Sequence, residues 1–346
     1  MALLKTRTTY LIIIFLLTRA ADATCQDINF SQFYELPLLR NPALAGIFEG
    51  DYRITSAYRN QWQSVTTPYR TLALGLEYKT QLGQNSNDFL TIGLQTTNDI
   101  AGDSRLSRTQ LFPVLNFHKS LNSEKDMYLS AAITGGPVMQ KFDPSQLTFD
   151  DQFVNGAYSQ ANPTKQVFTN TGFTYWDMAT GLSFSTVIGT DTRFYMGAGL
   201  FHFTKPKVAF QKQYDIVLNP KWMFNGGLSA SVSDLNKLIV YADYFVQGGA
   251  RQFQGGLMLN HIFAEYSETN NIGITAGLFY RPNDALVPVI KLDYNKMGIG
   301  INYDINVSKL KTASQLRGAF ELTLSYRGYT KSENSSANKV RCPRFY

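Results

Sequence analysis

Apolar side chains alternating one-for-one with polar or small ones dominate this chain and restrict what it can become. Along 71–79, Leu72, Leu74, Leu76 and Tyr78 alternate with Thr71, Ala73, Gly75, Glu77 and Lys79. Met297, Ile299, Ile301, Tyr303 and Ile305 alternate with Gly298, Gly300, Asn302 and Asp304, and Phe320, Leu322, Leu324 and Tyr326 with Glu321, Thr323, Ser325 and Arg327. Successive strand residues face opposite sides, so each stretch has one greasy face and one that carries ionisable groups. Those groups cannot point into lipid cheaply and must meet water or partners.

Fourteen such segments can be traced: 51–62, 69–80, 87–99, 106–121, 124–142, 172–187, 191–203, 221–233, 236–249, 251–263, 271–282, 285–294, 296–306 and 317–329. A soluble β-sandwich would alternate too, but it needs no even count. A bacterial barrel does, and lipid requires closure because an open edge leaves backbone groups unpaired. The expected fold is all-β, a transmembrane antiparallel β-barrel of about 14 strands over residues 51–329.

Composition agrees with a wall between lipid and water. Only 17% of residues are charged, against about 25% in soluble domains, while Tyr, Phe and Gly number 20, 24 and 26. The formal charge is +6 with no Lys/Arg block; basic residues read as spread through turns and strand ends, which does not suit nucleic acid. Lys5 and Arg7, the apolar run 10–17 and the small residues Ala20, Ala21 and Ala23 read as a signal peptide over 1–25. Cleavage is expected before Gln26, with cleavage after Ala23 as the competitor. Asp22-Ala23-Thr24 is a poor lipobox for acylation of Cys25. No later run is long and apolar enough for a helical span, so the destination is the bacterial outer membrane.

If the first strand rises from the periplasm, the long connections 143–171, 204–220 and 307–316 all fall on the outer side, as in this barrel class. Two outer connections, near Ala250 and Asn283, are short exceptions. Trp62, Trp176 and Trp222 then lie near the outer interface, where Trp is favoured.

Chemistry-bearing residues are scattered. His118, His202 and His261 occupy three separate strands, and no HExxH, CxxC or G-x-S-x-G pattern occurs. Asp150-Asp151 and Asp99 with Asp103 read as solvated loop acids. No cofactor, metal or catalytic residue is expected, and the protein reads as no enzyme. Gly197-Ala198-Gly199 and the pairs Gly226-Gly227 and Gly255-Gly256 mark bends or close approaches within strands.

Residues 26–50 do not alternate, contain Pro37 and Pro42, and are rich in Phe, Tyr and Leu. An apolar segment of this kind does not float freely in water; it is expected in the lumen or at the periplasmic mouth. Residues 330–346 read as a polar periplasmic tail.

Phe30-Ser31-Gln32, Pro37-Leu38, Asn41-Pro42-Ala43, Ala45-Gly46, Tyr58-Arg59-Asn60-Gln61-Trp62 and Tyr69 resemble the opening of the PorP/SprF family of type IX secretion proteins of Bacteroidetes. Phe320-Glu321-Leu322 and the ending Cys342-Pro343-Arg344-Phe345 resemble that family's last strand and tail, with an extra Tyr346. The resemblance implies an outer-membrane component supporting secretion or surface anchoring of adhesins through their C-terminal sorting domains, with a link to gliding motility. The implied partners are the secreted adhesin, periplasmic type IX components and outer-membrane lipid. It transfers no binding residue. Rival readings are a passive channel for small hydrophobic molecules and a barrel hydrolase using His202 or His261.

Overall fold

The computed structural model describes residues 27–63, 66–83, 86–122, 125–159, 161–189, 191–211, 213–265, 271–309 and 311–330. The expected signal peptide, Cys25 and the motif residues Cys342, Pro343, Arg344 and Phe345 lie outside the described residues.

Fourteen strands form one closed barrel. They are β1 (Tyr52–Gln61), β2 (Tyr69–Gln81), β3 (Phe89–Ala101), β4 (Leu106–Asn122), β5 (Met127–Lys141), β6 (Gly172–Ile188), β7 (Thr192–Phe201), β8 (Lys221–Ser233), β9 (Asn236–Gln247), β10 (Ala250–Glu265), β11 (Asn271–Arg281), β12 (Ala285–Tyr294), β13 (Met297–Asn306) and β14 (Arg317–Gly328). Each pairs antiparallel with its sequence neighbours, and β14 closes on β1 with Tyr58 opposite Leu322 and Arg59 opposite Glu321. The segments read from alternation are these strands, with the largest offset at β5, which begins at Met127 and not at 124.

The faces divide as the period-two pattern requires. Thr71, Ala73, Glu77 and Lys79 of β2 are buried inside, whereas Leu72, Leu74 and Tyr78 are exposed outside. In β13 and β14 the outward set is Met297, Ile299, Ile301, Tyr303, Phe320 and Leu324, and the inward set includes Asn302, Asp304, Glu321 and Thr323. An outer surface of exposed Leu, Ile, Phe and Tyr would be an aggregation liability in water, but it suits acyl chains. This is an outer-membrane barrel. No described helix is long and apolar enough to cross a membrane.

Three long connections, 142–171, 202–220 and 307–316, leave one end of the barrel, opposite the end at which Asp51 enters β1. By the usual asymmetry of such barrels that end is extracellular. Trp176 and Trp222 sit near it, facing outward at 70% and 48% exposure, and Trp62 follows the end of β1.

The 142–171 connection holds 3-10 turns at Pro144–Gln146 and Asp150–Gln152 and a hairpin of Phe153–Val154 with Ala157–Tyr158. Three readings need correction. Asp99 is not a loop acid but lies in β3, opposite Arg108, and accepts from Thr71 at 2.6 Å. His202 is not in a strand but one residue beyond β7, at φ +57°. The basic residues are not confined to turns and strand ends: Arg53, Arg59, Lys79 and Lys291 are buried on the inner face. Alternation assigns a residue to a face but does not say whether that face meets water, and here it meets protein.

Leu74→Arg would set a charge at mid-height on the outer face. It is expected to destabilise the barrel in lipid by about 2–4 kcal/mol, read by denaturant titration in liposomes; unchanged stability would mean that this face does not meet lipid.

Candidate functional site

The lumen is occupied by residues 27–50. From Phe30 to Gly50 every residue is buried except Leu39, half-buried, and Glu49, exposed. The segment cannot be a strand because Pro37 and Pro42 lack the donor a ladder needs. Instead each proline opens a single turn, Pro37–Arg40 and Pro42–Leu44, where its fixed φ is preorganised. Asn41, extended at φ −164° as a residue before proline prefers, caps the second turn by accepting from Ala43 N at 2.9 Å.

Five sets of contacts dock the plug. The first lies at the seam between β1 and β14. Both carboxylate oxygens of Glu321 accept plug backbone, Ser31 N at 2.7 Å and Gln32 N at 2.8 Å. Arg59 of β1 pairs with Glu321 and, at 3.0 Å, with Asp304. Ser31 Oγ donates to Asp304 at 2.8 Å and accepts from Arg59 at 3.0 Å and from Arg281 at 2.8 Å. Gln32 donates to Asn302 and accepts from Thr323, each at 2.8 Å.

The second set surrounds Arg40, whose guanidinium forks onto Asp243, donates to Tyr195 at 2.8 Å and lies 4.8 Å from the Phe33 ring. Tyr34 stacks on Tyr241 and Phe279 at 5.1 and 5.3 Å. The third is a cradle without side chains: a Cβ on Gly181 would stand 1.9 Å from Asn41 Oδ1, and one on Gly197 2.7 Å from Nδ2. The close approach expected at Gly197 is thus to Asn41.

In the fourth, wall side chains take the plug's carbonyls. Asn116 donates to Ala43 and Ala45, Ser183 to Ala43, and Lys79 to Gly46 and Phe48. Glu77 accepts from Gly46 N at 2.8 Å. Gly46 holds φ +83°, and any Cβ there would meet Thr91 Oγ1 at 2.1 Å; only glycine fits.

The fifth is at the tip. Asp27, at the long-loop end, pairs with Arg108 at 2.5 Å, His202 Nε2 at 3.1 Å and Lys221 at 3.5 Å. His202 Nδ1 faces Asp177 at 2.6 Å. With a carboxylate at each nitrogen the ring donates twice and is an imidazolium. Burial alone would lower its pKa, but Asp27 and Asp177 outweigh that and raise it to about 9.

Of the motif residues, Phe30, Ser31, Gln32, Arg59 and Glu321 meet at the seam, and Pro37, Asn41, Pro42, Ala43 and Gly46 shape the plug. Tyr58, Asn60, Phe320 and Leu322 lie on the outer-face positions of the seam strands, and Trp62 follows β1. The histidines are not gathered: His118 contacts Thr91 and Ser130, and His261 contacts Asn236. Among the described residues no group of three or more His, Cys, Asp or Glu is arranged to hold a metal ion. Arg40, Asp243, Arg281, Asp27, Arg108 and Lys221 went unrecognised in the sequence; an ionisable residue at an inward position of a strand was the available signal for four of them.

A family model for the type IX secretion system membrane protein PorP/SprF matches residues 23–326. The chain belongs to the PorP/SprF family. Solved structures similar to this PorP/SprF barrel include the Pseudomonas putida toluene transporter TodX, at 9% identity and TM-score 0.48, covering 84% of this chain and 92% of that one. A Pseudomonas aeruginosa FadL homologue is similar at 9% identity and TM-score 0.43, covering 83% and 92%. BamA of Haemophilus ducreyi lacking POTRA domains 1–3 is similar at 8% and 0.39, covering 80% and 70%. A comparison with curated proteins found no match.

Glu321→Ala would strand Arg59 and two plug amides, and breaking a buried pair costs about 3–5 kcal/mol. The heat-modifiable gel transition of the PorP/SprF barrel should fall markedly, whereas Phe320→Ala on the outer face should lower it less; equal effects would remove the seam's special role. A second expectation concerns pH. Because the pKa of His202 is raised from 6.5 to about 9, its stabilisation is complete below pH 6.5, declines above it and is gone once pH passes 9. His202→Gln should flatten the fall of the same transition over that window.

Proposed function

We propose that this barrel is an anchoring and export component of the type IX system, receiving adhesin-type passengers through their C-terminal sorting domains at its long-loop face. The observation that carries this reading, together with the family, is where the molecule puts its unoccupied surface. The lumen is filled, so recognition falls to the loops. Connections 142–171 and 202–220 meet through Phe142 and Phe210, ring centroids 5.1 Å apart, with Phe168 against Phe142 at 5.5 Å and Phe173 of β6 against Phe210 at 4.8 Å. Phe153, Tyr158, Val167, Tyr214 and Ile216 remain exposed there, a surface of the kind that protein partners cover.

The short turns at the opposite end would face the periplasmic type IX components, and gliding motility would follow where the passenger is a motility adhesin. We read 1–25 as the signal peptide, 330–346 as the periplasmic tail, and the buried family motif as plug architecture, not as passenger contact. The role is non-catalytic. A channel for small hydrophobic molecules is less well supported, since transport would have to displace buried ion pairs such as Arg40–Asp243 and Lys291–Glu35.

Replacing 144–170 by a short turn should leave a heat-modifiable barrel while passenger secretion and co-purification of a sorting domain are lost. Normal secretion by that variant, or a native barrel that never carries a passenger or a secretion subunit, would refute the proposal.

A further inference from the structure

The plug is held in two different ways. Its body, Phe30–Asn41, is at most 4% exposed at Phe30, Ser31, Gln32, Arg40 and Asn41. Its tip, Asp27, is a side chain 15% exposed, against an Arg108 that is 16% exposed. Around that single carboxylate stand three cations from three separate places: Arg108 from β4, His202 after β7 and Lys221 from the start of β8. Two acids stand behind them: Asp177 bonds His202 from the far side of the ring, and Asp99 faces Arg108 across the β3–β4 pair. Removing the Asp27 carboxylate would therefore leave three positive groups facing two remaining acids. A cavity of about 20 Å³, enough for one water, borders Asp27 and His202. The cluster lies at the long-loop end, where His202 opens the 202–220 connection and Tyr175 stands beside Arg108.

We propose that Arg108, His202 and Lys221 form a carboxylate receptor at the extracellular mouth, which Asp27 fills as an internal stand-in and which an acidic peptide arriving from the long-loop side takes over. The chemistry fits: a guanidinium N–H, an imidazolium N–H and an ammonium converge on one carboxylate, and charge-assisted bonds of this kind favour carboxylate. The geometry fits as well, because Asp27 lies four residues before Ser31 and can be exchanged while the seam contacts of Ser31 and Gln32 stay in place. Reading the peptide as part of a secreted passenger rests on the function proposed above; the receptor itself does not.

The test uses the full processed barrel in detergent and an acetylated tetraglutamate peptide, with tetraglutamine and inorganic phosphate as comparison ligands. Asp27→Asn should bind tetraglutamate at least tenfold more tightly than the native barrel, by calorimetric titration, and adding Arg108→Gln should abolish the gain. Equal binding by the native and Asp27→Asn barrels, or tetraglutamine or phosphate binding as tightly as tetraglutamate, overturns the assignment. Should the substitution prevent folding, the native barrel decides: excess tetraglutamate should raise amide exchange at Ile28 and Asn29 and leave Ala43–Gly46 protected. No rise at those two amides counts against the receptor. No passenger enters these measurements, so loss of the secretion role would leave the receptor standing, and the reverse.

Discussion

A closed wall with charges on its inner face must find partners for them, and the rest of this structure follows from that requirement. Arg53, Arg59, Lys79, Glu77, Asp243, Asp304 and Glu321 all point inward and are nearly inaccessible. In a water-filled lumen they would be solvated. Here water is displaced, and a buried polar group without a partner is costly. The segment 27–50 meets the requirement by offering backbone amides to acids, carbonyls to Lys79 and Asn116, and one guanidinium to Asp243. Wall and plug are therefore one polar network divided between two kinds of backbone.

The seam gives that network its order. β1 and β14 are the barrel strands farthest apart in sequence, so their pairing closes the longest loop. Ser31 and Gln32 bind Glu321 of β14, and Ser31 also binds Arg59 of β1. The plug thus touches both edges of the closure at once. A buried ion pair adds little net stability over a hydrophobic isostere, but breaking one is expensive; this asymmetry penalises any register in which Arg59 and Glu321 fail to stand opposite each other, as they do here.

Filling the lumen leaves the two ends of the barrel as its exposed polar surfaces. The extracellular end carries the long connections and their aromatic contacts, and the opposite end carries short turns. The plug runs between them, from Asp51 beside Gly328 at one mouth to Asp27 among Arg108, His202 and Lys221 at the other.

The sequence by itself determined the wall. Alternation is a local property, each residue's face being set by its neighbours in the chain, so Leu72, Glu77, Ile301 and Glu321 could be assigned to sides, and fourteen strands counted, without tertiary knowledge. It also showed, from Pro37 and Pro42, that 26–50 is not a strand. The partners were decided only by tertiary structure. Glu321 reads as a polar residue facing water until Ser31 and Gln32, some 290 positions away, bring their amides to it. Arg40 and Asp243 carry no local mark of each other. Gly197 reads as a bend or a close approach to something unnamed, because nothing along the chain shows that Asn41 will occupy the space where its side chain would have been. Face is set by a repeat of two residues; partnership inside a closed cylinder is set by curvature and register, which exist only once the last strand has met the first.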